Sequence, residues 1–176
     1  MKMIYLLSVA AFWAGAVNFN ANANACDLLR DFRLGASRSE IQRKLGDRFP
    51  VMEMKRCGGS EISVPAGLFC RDVPGVRDAR LALQFTENRL TGWQITRRGD
   101  KMELLTYAEK QWGIAKNRPP LDVARPWANL HWQGKGWQAS YVGQGDGKEI
   151  TETLVALDTN PATRATARRA PECEKE

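Results

Sequence analysis

Between Ala79 and Thr86 apolar and polar side chains alternate, with Leu81, Leu83 and Phe85 on one side and Arg80, Gln84 and Thr86 on the other. A period of two marks a strand with one buried face. Glu87-Asn88-Arg89 reads as a turn, and 90–97 returns as a second strand with Trp93 and Ile95 on its apolar side. Leu90 is out of phase with that pair, which places a bulge near Gly92. Together these segments predict an antiparallel hairpin. Further strand patterns fall at 128–133, 137–142 and 149–157, punctuated by Lys135-Gly136 and the Gly-rich 143–147. Shorter strands are expected at Val51–Met54 and Glu61–Val64.

Two segments follow the helical period instead. Ser37 and Glu40 stand in capping-box spacing, Ile41 and Leu45 share a face, and Gly46 is placed to end the helix. Asp100 and Glu103 repeat the capping pattern ahead of an apolar stripe of Leu104, Leu105, Ala108 and Trp112, with Gly113 as the stop. A short helix is also expected within Asp27–Leu34. The fold class is therefore α+β: short helices packed on an antiparallel β-sheet. Each capped helix is followed by a Pro-bearing loop and a hairpin, the punctuation of a degenerate tandem repeat.

The front of the chain changes the setting. Lys2 precedes a nearly unbroken apolar run from Met3 to Val17, and Ala23-Asn24-Ala25 is a small-x-small cleavage site. The run is about 15 residues, short of the roughly 20 needed to anchor in a bilayer. Residues 1–25 therefore read as a signal peptide, 26–158 as one domain, and 159–176 as an irregular tail. Cleavage leaves about 150 residues, an ordinary size for one domain. The protein is expected in the periplasm or outside the cell, without stable membrane insertion after cleavage. The whole chain carries 26 basic and 20 acidic residues, a net charge of +6, and Lys2 is the only charge in the leader. An early group of Arg30, Arg33, Arg38, Arg43, Lys44 and Arg48 favours acidic partners. An exported compartment argues against nucleic acid.

All four cysteines, Cys26, Cys57, Cys70 and Cys173, lie beyond the leader. An even count in an oxidising compartment implies two bridges, with three connectivities open. Cys57 and Cys70 bracket a Gly- and Pro-bearing loop, which favours that local pair and leaves Cys26 to tie Cys173 and the tail back. Cys26 also sits just after the cut, where lipoprotein signals carry their lipidated cysteine, although Ala23 stands where those signals place Leu.

Catalytic signals are sparse. His131 is the single histidine, and neither HExxH nor paired CxxC occurs, so no metal and no cofactor is expected. Acidic pairs drawn from Asp146, Glu149 and Glu152 would suit a small cell-wall glycoside hydrolase, the reading from the enzyme class. Aromatic content points to binding. Trp127, Trp132, Trp137 and Tyr141 crowd the last third of the chain, and Trp132, Trp137 and Tyr141 share one face of the expected sheet. Trp and Tyr are the usual anchors of protein interfaces.

The segment Phe32-Arg33-Leu34-Gly35-Ala36-Ser37-Arg38-Ser39-Glu40-Ile41, closing at Leu45-Gly46, resembles the opening motif of a superfamily. That superfamily holds the small lipoproteins of the outer-membrane barrel assembly machinery and the β-lactamase inhibitory proteins. Leu83-Gln84-Phe85-Thr86-Glu87-Asn88-Arg89-Leu90 is similar to its hairpin. The resemblance implies two short helices against an antiparallel sheet, in two tandem copies in the inhibitors, and a binding or envelope-maintenance role. The expected function is an exported protein-binding module, either an enzyme inhibitor or an envelope-assembly factor, with another envelope or periplasmic protein as partner. Immunity against a secreted toxin is the alternative within the binding class.

Overall fold

The computed structural model describes residues 26–46, 52–56, 59–118, 128–145 and 148–161. Seven strands form one antiparallel sheet: β1 (Met52–Arg56), β2 (Gly59–Pro65), β3 (Arg80–Thr86), β4 (Arg89–Gly99), β5 (Ala128–Gly134), β6 (Trp137–Gly145) and β7 (Ile150–Asp158). Their spatial order is β1-β2-β3-β4-β7-β6-β5. Among the described residues the helices are α1 (Leu28–Asp31), α2 (Arg38–Leu45) and α3 (Glu103–Trp112), with a 3-10 turn at Ala66–Leu68. The chain is thus strand-rich, with few and short helices, within the expected α+β class.

The alternation between Ala79 and Thr86 is realised: Leu81, Leu83 and Phe85 are buried, and they meet Ile95, Trp93 and Leu90 across the β3–β4 ladder. The register slips between Gln84 and Phe85, passing over Thr91 beside Gly92, so the bulge lies where the phase change placed it. Glu87 and Asn88 both have positive φ, 47° and 59°. That is the primed-turn geometry which matches the twist of paired strands.

Helix α2 carries the expected capping box, with Ile41 and Leu45 buried beneath it and Gly46 at its end. The Asp100–Glu103 capping box does not form. The residue before α3 is Met102, and no local side chain caps the helix. A distant carboxylate does so, as described below. The α3 stripe faces the sheet: Leu104, Leu105 and Ala108 are buried, and Trp112 packs against Trp93, Trp132 and Trp137 at centroid distances of 6.3, 5.6 and 5.3 Å.

The sheet's other face carries polar side-chain pairs. Arg80 Nε donates to Ser63 Oγ at 2.7 Å, and Gln94 Nε2 to Thr96 Oγ1 at 3.0 Å. The Asn117 side chain occupies edge groups of β5, donating to the Asn129 carbonyl and accepting from the His131 N–H. A side-chain amide placed there blocks strand addition at that point.

The cysteine pairing differs from the local expectation. Cys26 is bonded to Cys70, with Cα atoms 5.1 Å apart, inside the usual span for a disulfide. The Cys57–Cys70 pair favoured by the intervening loop is thereby overturned, and so is Cys26–Cys173. Packing decided it: Cys26 is buried beside the Tyr107 hydroxyl, and Gln111 Nε2 holds its carbonyl at 3.0 Å. A Cys26 sulfur held in this bond has no thiol to offer a lipid. Cys57, Cys173, Trp127, Asp146, residues 1–25 and residues 162–176 lie outside the described residues.

Candidate binding cleft

The ladder registers bring several chain segments to one end of the sheet. The β3–β4 turn, the β5–β6 turn and the last residue of β7 meet there, through the pairs Thr86↔Arg89, Gly134↔Trp137 and Trp137↔Asp158. Strand β7 stops pairing with β4 at Leu157↔Gly92. The loop between α1 and α2 then takes over the exposed edge of β4. Gly35 N donates to the Leu90 carbonyl at 2.7 Å, Leu90 N to Ala36 at 2.9 Å, and Arg38 N to Asn88 at 2.7 Å. Gly35 has φ +83°, a backbone that side-chain-bearing residues rarely adopt.

The notch where loop and strand end meet is a cleft of about 800 Å³. Leu29, Leu34 and the half-buried Trp137 give it apolar walls, and Arg30, Arg33, Arg89 and Lys135 are exposed around it. Glu87 and Asp158 are the acidic lining. Arg89 is held in place, its Nη1 donating to the Gly35 carbonyl at 3.1 Å. Trp137 is fixed by what lies beneath it. A Cβ built on Gly134 would fall 2.3 Å from the indole nitrogen, so only glycine leaves room for the ring.

The aromatic residues divide. Trp132, Trp137 and Tyr141 do share a face, as alternation required, but it is the face covered by α3. Tyr141 is fully buried and Trp132 is 7% exposed. The expectation that these two form a contact surface is corrected: they are core, because Trp112 and α3 close over them. The indole N–H of Trp132 even donates to the Gly113 carbonyl at 2.7 Å, securing the end of α3. Trp137, at the margin of the covered face, remains accessible within the cleft. His131 points the other way and is exposed.

Glu152, one of the acids considered for hydrolysis, has a structural place. Its side chain is completely buried. The carboxylate accepts from Arg97 Nη1 at 3.0 Å, Tyr141 Oη at 3.0 Å, Glu103 N at 3.0 Å and Leu105 N at 3.1 Å. It therefore caps α3 from strand β7 and balances Arg97, which also contacts Glu103 at 2.9 Å. Burial, with the neighbouring Glu152 charge, pushes the Tyr141 phenol well above its ordinary range. Burial does the same to Tyr107, whose hydroxyl accepts from Leu28 N. A carboxylate with four donors and no solvent contact is not placed to transfer protons to a polymer.

The early basic group also divides. Arg30 and Arg33 reach the cleft, whereas Arg38 pairs with Glu53 at 2.6 Å and lies over the Phe85 ring. Lys44 donates to the Asp31 carbonyl. Arg89 and Lys135 were not singled out in the sequence. The available signal was positional: each flanks a hairpin turn, and antiparallel alternation puts both turns at one end. Among the described residues no group of three His, Cys, Asp or Glu side chains could hold a metal, and no helix is long and apolar enough to cross a membrane. The chain matches no protein-family model, no curated protein and no solved structure. The likeness of its 32–46 segment to the assembly lipoproteins and inhibitors rests on those motif residues alone.

Proposed function

We propose that this chain is an exported protein-binding module, an enzyme inhibitor or envelope-assembly factor of the periplasm, which engages its partner through the cleft around Trp137. The observation that carries the reading is the convergence of one accessible tryptophan and four exposed cations on a single concavity. Buried aromatic anchors ringed by polar groups are the usual energetic centres of protein interfaces. Export is supported by the leader pattern and by a buried disulfide, a bond that persists in oxidising compartments. A degenerate duplication fits the strand order, in which the last strand of each half, β4 and β7, lies at the centre.

The test is capture from periplasmic extract by the purified chain and by its Trp137→Ala variant. The expected result is a specific partner that the variant, assayed well below its own thermal midpoint, retains at least tenfold less well. Unchanged capture by the variant overturns the role of the cleft. Clearing of purified peptidoglycan by the chain alone would favour the hydrolase reading instead.

A further inference from the structure

We infer that the occupant of the cleft is an acidic peptide segment of the partner, seated by one apolar side chain against Trp137 and Leu34 and by flanking carboxylates against the surrounding cations. The inference rests on the reading of the cleft as the partner site and adds the chemistry of what enters it.

Three features select this class. The lining is amphipathic, combining the apolar Leu29, Leu34 and Trp137 with the cations Arg30, Arg33, Arg89 and Lys135, so a wholly polar anion would leave the Trp137 surface unused. The cations come from α1, its following loop, the start of β4 and the β5–β6 turn, and they line a concavity. A membrane surface meets a flat basic face better than the inside of a notch, and Glu87 and Asp158 in the same lining would repel a dense sheet of headgroups. A peptide with spaced charges can set its carboxylates opposite the guanidinium forks and keep them clear of the two acids.

The mode of recognition follows from the backbone. Strand β4 has no free edge at the cleft, because the α1–α2 loop already accepts and donates at Leu90 and Asn88. The incoming segment therefore cannot add to β4 there, and the exposed charges and Trp137 are left as its main points of contact. Recognition dominated by exposed charges gives fast association and marked sensitivity to salt.

The experiment is fluorescence anisotropy with a fluorescein-labelled decapeptide of Asp and Glu bearing a central Leu-Trp. Its controls are the same peptide with Lys for every acid, the acidic peptide with Ala-Ala at its centre, and phosphatidylglycerol vesicles. The expected result is binding of the acidic Leu-Trp peptide, weakened about tenfold or more between 50 and 500 mM NaCl. Arg33→Glu with Arg89→Glu should weaken it at least tenfold, and Trp137→Ala should erase the advantage of Leu-Trp over Ala-Ala. Equal binding of the Lys peptide, insensitivity to both salt and the charge reversals, or binding of vesicles without peptide overturns the inference. The salt series needs no variant, so misfolding of a mutant cannot hide the answer. If extract still yields a Trp137-dependent partner that the acidic peptide does not displace, this inference fails and the binding-module reading stands. If the peptide binds while capture ignores Trp137, the cleft takes acidic peptides but is not the partner site.

Discussion

Helix α2 starts from within its own sequence, Ser37 Oγ accepting from Glu40 N at 3.3 Å while Glu40 Oε2 accepts from Ser37 N at 2.8 Å. Helix α3 starts from elsewhere: Glu152, 49 residues after Glu103, supplies the carboxylate that its first amides need. Both solutions satisfy donors that every helix leaves unpaired at its first turn. They differ in setting. The α2 box is exposed, and water can replace either partner. The α3 cap is sealed between helix and sheet, where nothing else can take the place of the carboxylate.

The sharpest way to break this comparison is Glu152→Gln. The substitution keeps shape but removes the charge that balances Arg97 and presents an amide N–H₂ toward donors. We expect a loss of about 3 kcal/mol in denaturant unfolding, the low end for a broken buried pair because Glu103 still contacts Arg97. Amide exchange should accelerate at Glu103 and Leu105 before it does in β4. Replacing Arg97 and Glu152 together with Met should cost at least as much as Glu152→Gln, since the Glu103 and Leu105 amides and the Tyr141 hydroxyl then lose their acceptor altogether. A smaller loss in the double variant would show that the orphaned arginine, rather than the lost capping bonds, carries the cost.

The same contrast explains what could be read from the chain. The Ser37 box, the 81–95 hairpin, the bulge near Gly92 and the α3 stripe each lie within a dozen or so residues, where periodicity and turn chemistry act. Glu152 looked like any other acid because its partners, Arg97, Glu103, Leu105 and Tyr141, become neighbours only once β7 lies between β4 and β6. The disulfide is hidden for the same reason: loop length favours Cys57–Cys70, whereas contacts of the α1 segment with Tyr107 and Gln111 of α3 set Cys26 beside Cys70. Alternation puts Tyr141 and Trp132 on one face, but it does not say which face a helix will cover. The cleft combines both cases, with Trp137 visible as an aromatic and Arg33, Arg89 and Lys135 brought to it by topology.

A smaller effect is expected at α2. Ser37→Ala removes one exposed side-chain acceptor and should cost about 1 kcal/mol, the usual value for an N-cap. Its influence on exchange should stay within 38–41 and leave α3 untouched. A loss comparable to that of Glu152→Gln would mean that the bonds joining this loop to β4, such as Arg38 N to the Asn88 carbonyl, depend on the cap.

The smallest effect is a titration. The Ser37 backbone N–H, and then its hydroxyl, hold the Glu40 carboxyl below the ordinary range. With the folded value depressed, the stabilisation is present above the unfolded carboxylate value and fades as pH falls through the folded one. Following the Glu40 carboxyl by NMR should give a midpoint under the roughly 4.3 of an unperturbed glutamate. In Ser37→Ala the midpoint should rise only part of the way, because the backbone N–H, the larger contributor, is still there. Recovery of the full unperturbed value in that variant would show instead that the hydroxyl holds the turn and that the backbone bond follows from it. The α2 cap would then depend on one side chain, as the α3 cap depends on Glu152.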